Sequence, residues 1–207
     1  MLVVGLTGGI ATGKSTVARM LEARGAAVLD ADALVHELQA PGTEVYRATL
    51  DAFGPDTLAP DGTLDRQKLG ARIFADPEAR RRLEAIVHPA LMTEIRRRAE
   101  ALRAEGRTRL CVVEAALLVE GGRRGIVDRV VVVTAPEEEQ VARLRAKTGM
   151  SEEEAWRRVR AQLPAGAKAR GADHVLVNDG SLTRLAGRVA ALADVLLREA
   201  AAGQKSP

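Results

Sequence analysis

The sequence predicts a doubly wound α/β fold, a five-stranded parallel sheet with helices on both faces. Three observations lead there. Short apolar runs at residues 2–6, 26–29, 109–113, 129–133 and 175–177 alternate along the chain with stretches of helical periodicity. The runs are apolar throughout, which is the pattern of strands covered on both faces in a parallel sheet. The first run also leads straight into a glycine-rich turn and a helix, "GLTGGIATGKSTVARML" at residues 5–21.

The elements follow in order. Residues 2–6 form a strand stopped by glycines, and Val17, Ala18, Met20 and Leu21 mark a helix that Gly25 ends. The second strand, 26–29, closes on Asp30-Ala31-Asp32. Helical stretches at 34–38, 43–53 and 65–74 are separated by Pro41-Gly42, Gly54-Pro55 and Asp61-Gly62. Asp76-Pro77 opens a long amphipathic segment to about residue 105, which His88-Pro89 interrupts, because proline removes a ladder hydrogen bond and kinks a helix. Strands three and four are followed by a helix at 136–147 with proline in its first turn. Ser151 to Glu154 is a capping box that opens the helix carrying Trp156. After the fifth strand, the last helix carries a stripe of Leu182, Leu185, Val189, Leu192 and Leu196, spaced to pack on the sheet. Residues 34–107 hold helices and no strand. They are an insertion between strands two and three, over the sheet edge where ligands bind in such folds.

The totals narrow the class. With 207 residues the chain has room for one full core, and 46% apolar with 29% charged residues is an ordinary soluble composition. No apolar run is long enough to span a bilayer, and the N-terminus lacks the basic and apolar pattern of a secretory signal. A soluble cytoplasmic protein is expected. Cys111 is the only cysteine, which excludes an internal disulfide and a cysteine metal cluster; a buried, inert thiol is expected. The pI near 9.4 invites a nucleic-acid reading. Yet 31 basic and 28 acidic residues are well mixed, the Arg80–Arg82 and Arg96–Arg98 runs lie among acids, and 2% aromatics supply no stacking platform.

Gly8-Gly9-Ile10-Ala11-Thr12-Gly13-Lys14-Ser15 fits the phosphate-loop pattern G-x-x-x-x-G-K-[ST] at every fixed position, with Thr16 next in the helix. Consecutive backbone N–H groups must turn inward around a phosphate chain, and glycine permits the turn and the close approach. The helix starting near Lys14 points its positive end at the same place. Lys14 adds a point charge toward the outer phosphates, and the Ser15 hydroxyl suits Mg²⁺. The chain is therefore expected to bind ATP or another nucleoside triphosphate. An Asn-Lys-x-Asp element of GTP switches is missing, and strand three ends in Glu114 where motor ATPases usually carry aspartate. A short chain with an early loop, an insertion and an arginine-bearing late region has the layout of a small phosphotransferase. A nucleotide-dependent switch or a nucleic-acid-binding ATPase is the alternative from another class. Asp32, just past strand two, suits an acceptor hydroxyl as general base; equally, Asp30 or Asp32 caps the next helix.

These residues resemble the dephospho-CoA kinase family almost end to end. The resemblance is carried by "LTGGIATGKSTVA" (6–18), "VLDADALVHEL" (28–38), "PGT" from Pro41, "DGTLDRQKLGARIFADPEARRRLEAIVHP" (61–89), "ALLVE" (116–120) and "ADHVLVNDGS" (172–181). It implies a P-loop kinase-like fold and transfer of the ATP γ-phosphate, with Mg²⁺, to the ribose 3′-hydroxyl of dephospho-CoA. The stretch 61–89 favours that acceptor over the nucleosides or nucleotides that the loop alone would also fit. Neither nucleic acid nor membrane is implied as a partner, and no particular oligomeric state. By resemblance Asp32 is the catalytic carboxylate, and His88, Pro89, Leu117, Leu118 and Glu120 belong to the acceptor site. Arg143 and Lys147, one helical turn apart, belong to a lid that closes on the ATP phosphates, with Arg143 stabilising charge on the moving phosphoryl group. Asn178 and Gly180 match a stretch near the adenine. The implied division is a nucleotide-binding core of 1–33, 108–135 and 172–202, a helical CoA-binding insertion at 34–107, a lid at 136–171 and a polar tail at 203–207. Ala116 stands where the family often has proline, and His36 and Lys147 stand where arginine is common. Lysine cannot give arginine's bidentate clamp.

Overall fold

Seven consecutive buried residues, Leu2–Gly8, form β1, the middle strand of the sheet. The computed structural model describes residues 1–115, 124–162 and 165–203. Four further strands flank β1: β2 (Ala27–Asp30), β3 (Leu110–Glu114), β4 (Arg129–Thr134) and β5 (His174–Val177), in the order β2-β3-β1-β4-β5. β1 pairs in parallel with β3 and β4, and β4 with β5. The helices are α1 (Lys14–Glu22), α2 (Ala31–Leu38), α3 (Glu44–Phe53), α4 (Arg66–Ala75), α5 (Pro77–Glu105), α6 (Glu137–Thr148), α7 (Glu152–Arg160), α8 (Ala165–Ala169) and α9 (Leu182–Ala202). The chain divides into two compact units, Met1–Leu29 with Ala99–Pro207, and Asp30–Arg98.

In the first unit the core is built by Val4 and Leu6 of β1, Val131 and Val133 of β4, Val17 and Leu21 of α1, and Leu185, Val189 and Leu196 of α9. Burying each such side chain contributes roughly 1.5–3 kcal/mol, so the sheet and its two long helices are held chiefly by apolar contact. Two aspartates fix how strands start. Asp128 Oδ2 accepts from the Val3 N–H of β1 at 2.7 Å, and Asp173 Oδ2 accepts from the Val130 N–H of β4 at 2.7 Å. Cys111 is fully buried, and burial pushes its thiol up to about 11, so it stays protonated and inert.

The stripe on α9 departs from the sequence expectation at its start. Leu182 is 68% exposed, while Ala193 and Ala200 complete the buried face. Leu182 is the first helical residue, so it precedes the turn that meets the sheet. β5 differs as well. It is an edge strand, and Val175 and Val177 are 48% and 40% exposed on its outward face, so it is not covered on both sides.

In the second unit, Phe53, Leu69 and Ala79 from α3, α4 and α5 form a small core with Ile73, Leu83 and Ile86. The Arg72 guanidinium lies 5.4 Å from the Phe53 ring centre and donates to the Phe53 carbonyl at 2.8 Å. Glu94 accepts from Arg97 (2.7 and 2.8 Å) and Arg98 (2.7 Å), which holds its carboxyl at about 2 instead of the ordinary 4.5. The expected break at His88-Pro89 does not occur. Helix α5 runs through Pro89 from Pro77 to Glu105. One proline costs one ladder bond, and Ile86, Val87, Leu91 and Ile95 keep an apolar face on both sides of it.

Candidate phosphate-binding and phosphoryl-transfer site

The loop between β1 and α1 carries the chemistry. Gly8 ends β1, Gly9 to Gly13 form the turn, and Lys14, Ser15 and Thr16 make the first turn of α1. The first N–H groups of that helix have no partner within it, and together with the helix dipole they form an anion site. Within the loop, Thr12 is buried and its hydroxyl donates to the Gly9 carbonyl at 2.9 Å. Lys14 Nζ donates to the carbonyls of Gly8 (3.0 Å) and Gly9 (3.2 Å), which keeps its charge over the loop.

Gly13 is dictated by space and by conformation. Its φ is +94°, and a Cβ there would stand 2.4 Å from Asn178 Nδ2. That nitrogen donates to the Thr12 carbonyl at 2.9 Å in a buried position. The Asn178 amide, at the end of β5, therefore braces the loop just before the helix. Gly180, two residues on, lies against the Arg184 guanidinium.

Ser15 Oγ donates to Glu114 Oε1 at 2.6 Å. This brings the hydroxyl of the loop to the carboxylate that ends β3. Both are hard oxygen donors, the type that Mg²⁺ selects while keeping waters and phosphate oxygens as its remaining ligands. Among the described residues there is no cluster of three or more acidic, histidine or cysteine side chains for a metal. The two oxygen donors, Ser15 Oγ and Glu114 Oε1, fit Mg²⁺ arriving with a nucleotide. Glu114 is a site residue that the sequence reading did not select. Its signal was present, as the acid that closes a strand next to the loop's own strand.

Arg143, on α6, pairs with Glu139 at 2.5 Å and donates to the Asn178 carbonyl at 3.3 Å. Its other terminal nitrogen, Nη1, is buried and lacks a hydrogen-bond partner among the described residues. An uncompensated guanidinium nitrogen is costly, and an anion removes the cost. Lys147 lies exposed in the last turn of the same helix.

Asp30 and Asp32 separate in role. Asp30 is the N-cap of α2, and its Oδ1 accepts from the N–H groups of Asp32 (2.9 Å) and Ala33 (3.1 Å). Asp32 is exposed in the first turn, and its carboxylate takes no part in the cap. His88 and Pro89 lie in α5, and His36 is exposed in α2. Leu117, Leu118 and Glu120, together with Ala116, fall outside the described residues.

The chain is similar to known proteins over most of its length. The family model described as dephospho-CoA kinase matches residues 2–184. A dephospho-CoA kinase of Symbiobacterium thermophilum is 52% identical over 92% of this chain and 80% of its own length. One of Anaeromyxobacter dehalogenans is 48% identical over 99% of this chain and 94% of its own. A solved protein from Thermus thermophilus superposes with a TM-score of 0.77 at 37% identity, covering 94% of this chain and 97% of that one.

Proposed function

Because this chain belongs to the dephospho-CoA kinase family, we propose that residues 8–16 cradle the triphosphate of ATP and that Asp32 activates the 3′-hydroxyl of dephospho-CoA. The family's reaction closes coenzyme A biosynthesis: the γ-phosphoryl group moves to the ribose 3′-oxygen, giving CoA and ADP. The observation that carries the assignment of Asp32 is the division of labour at the start of α2. Asp30 supplies the cap, so the carboxylate two residues on is left for chemistry.

In this reading the loop N–H groups and the α1 N-terminus hold the β- and γ-phosphates, and the Lys14 amine exchanges a loop carbonyl for a phosphate oxygen. Ser15 and Glu114 would hold Mg²⁺, which would supply neutralisation of the phosphate charge. Asp32 orients the acceptor hydroxyl and takes its proton as the new P–O bond forms. The Arg143 guanidinium, with Lys147 beside it, meets the charge spread over the equatorial phosphoryl oxygens. Asn178 fixes the loop, and Gly180 lies along the adenine side. The helical insertion, with His88 and Pro89, receives the small-molecule acceptor together with Leu117, Leu118 and Glu120 from outside the insertion, and the enzyme works in the cytoplasm without nucleic acid. Among the described residues no helix is long and apolar enough to cross a membrane.

Asp32→Asn tests the central role. It keeps shape and removes the base, so turnover should fall by roughly a hundredfold or more while ATP affinity is held. A rate within a few-fold of the parent would remove Asp32 from the chemistry.

A further inference from the structure

We infer that Gln162, at the end of α7, is a positioning residue for the phosphate loop, acting on ATP through the Ile10 amide. This rests on the assignment of residues 8–16 to ATP. The Ile10 N–H donates to Gln162 Oε1 at 2.9 Å, a contact between residues 152 positions apart. Gln162 is itself anchored, because its N–H donates to the Val159 carbonyl at 3.3 Å as α7 ends. A second amide stands alongside. Gln140 of α6 is buried, and its Nε2 donates to the Ala135 carbonyl at 2.8 Å. A Cβ on Gly9 would lie 3.0 Å from Gln162 Oε1 and 3.2 Å from Gln140 Oε1, so two amide oxygens bracket the tip of the loop.

Apolar contact reinforces the same junction. Val141, Leu144, Ala155 and Val159 of α6 and α7 form a small core with Met150 and Trp156, and Ile10 and Ala11 of the loop pack against it. Ala11 has φ +55°, a left-handed conformation that is strained for a residue with a Cβ. The loop tip is thus strained and is held from outside by the α6–α7 pair. Gln162 supplies the directional part of that hold. It sets the orientation of the Ile10 peptide and, through it, of the N–H groups that follow toward the phosphates. Gln162 touches no phosphate in this scheme; it sets the shape of what does.

The test is steady-state kinetics of Gln162→Ala and Gly9→Ala, singly and combined, with ATP and dephospho-CoA varied separately and thermal unfolding recorded. Losing one neutral hydrogen bond corresponds to about a fivefold change in an equilibrium constant. Gln162→Ala should therefore raise the KM for ATP by up to about fivefold and lower the unfolding temperature by no more than about 4 °C, leaving the KM for dephospho-CoA near the parental value. Gly9→Ala displaces the same amide, so the double variant should be no worse than the weaker-binding single one. Equal KM for ATP in Gln162→Ala and parent overturns the inference, as does a double variant whose defects multiply. A parent protein that does not phosphorylate dephospho-CoA refutes the functional reading instead, and binding of an ATP analogue to Gln162→Ala then decides this one separately.

Discussion

Gly13→Ala should damage the loop through one identifiable neighbour. The new Cβ would lie 2.4 Å from Asn178 Nδ2, well inside contact distance, so the amide must leave. Its departure strips the Thr12 carbonyl of its buried 2.9 Å hydrogen bond, a cost of about 1–3 kcal/mol. Holding alanine at φ +94° adds about 1–2 kcal/mol. The single variant should lose about 2–5 kcal/mol, which is a fall of roughly 2–4 °C in unfolding temperature per kcal/mol for a chain of this size. Asn178→Ala removes the clash in advance. In that background Gly13→Ala should cost only the backbone part, about 1–2 kcal/mol. Urea unfolding of the four proteins measures the difference. If Gly13→Ala costs the same in both backgrounds within about 0.5 kcal/mol, Asn178 does not brace the loop and the reasoning fails.

Two other outcomes are expected. Glu114→Gln should raise the Mg²⁺ concentration for half-maximal rate by roughly 10–100-fold, read by magnesium titration of turnover; an unchanged titration separates Glu114 from the cation. Glu94 is held at about 2 by hydrogen bonds from Arg97 and Arg98, so its stabilisation is present above pH 4.5 and lost as pH falls toward 2. The stability difference between parent and Glu94→Gln should shrink across that window, and parallel pH curves would contradict it.

The sheet and the phosphate loop were legible because they depend on local pattern. Apolar runs between helical stretches specify strands, and a G-x-x-x-x-G-K-[ST] turn between strand and helix needs no distant partner to be recognised. What resisted reading depends on tertiary placement. Either Asp30 or Asp32 suits a cap by residue type, and only the start of α2 at Ala31 assigns the cap to Asp30. Pro89 carries a local breaking signal that the apolar face of α5 overrides. The openness of Val175 and Val177 follows from strand order, which composition does not encode. Glu114, Gln162 and Asn178 reach the loop from 99, 152 and 166 positions away, so no spacing rule brings them to it. Glu114 left a trace as a strand-ending acid, and Asn178 left one only through the family resemblance, which sets it near the adenine and not against the Thr12 carbonyl.

The most direct test of the account is mass spectrometry of a reaction containing the protein, magnesium-ATP and dephospho-CoA, run beside tubes with adenosine, AMP, uridine or cytidine as acceptors. The account predicts gain of one phosphate on the 3′-oxygen of dephospho-CoA, with the other acceptors unchanged. Phosphate appearing on a nucleoside or nucleotide, with dephospho-CoA untouched, would contradict it.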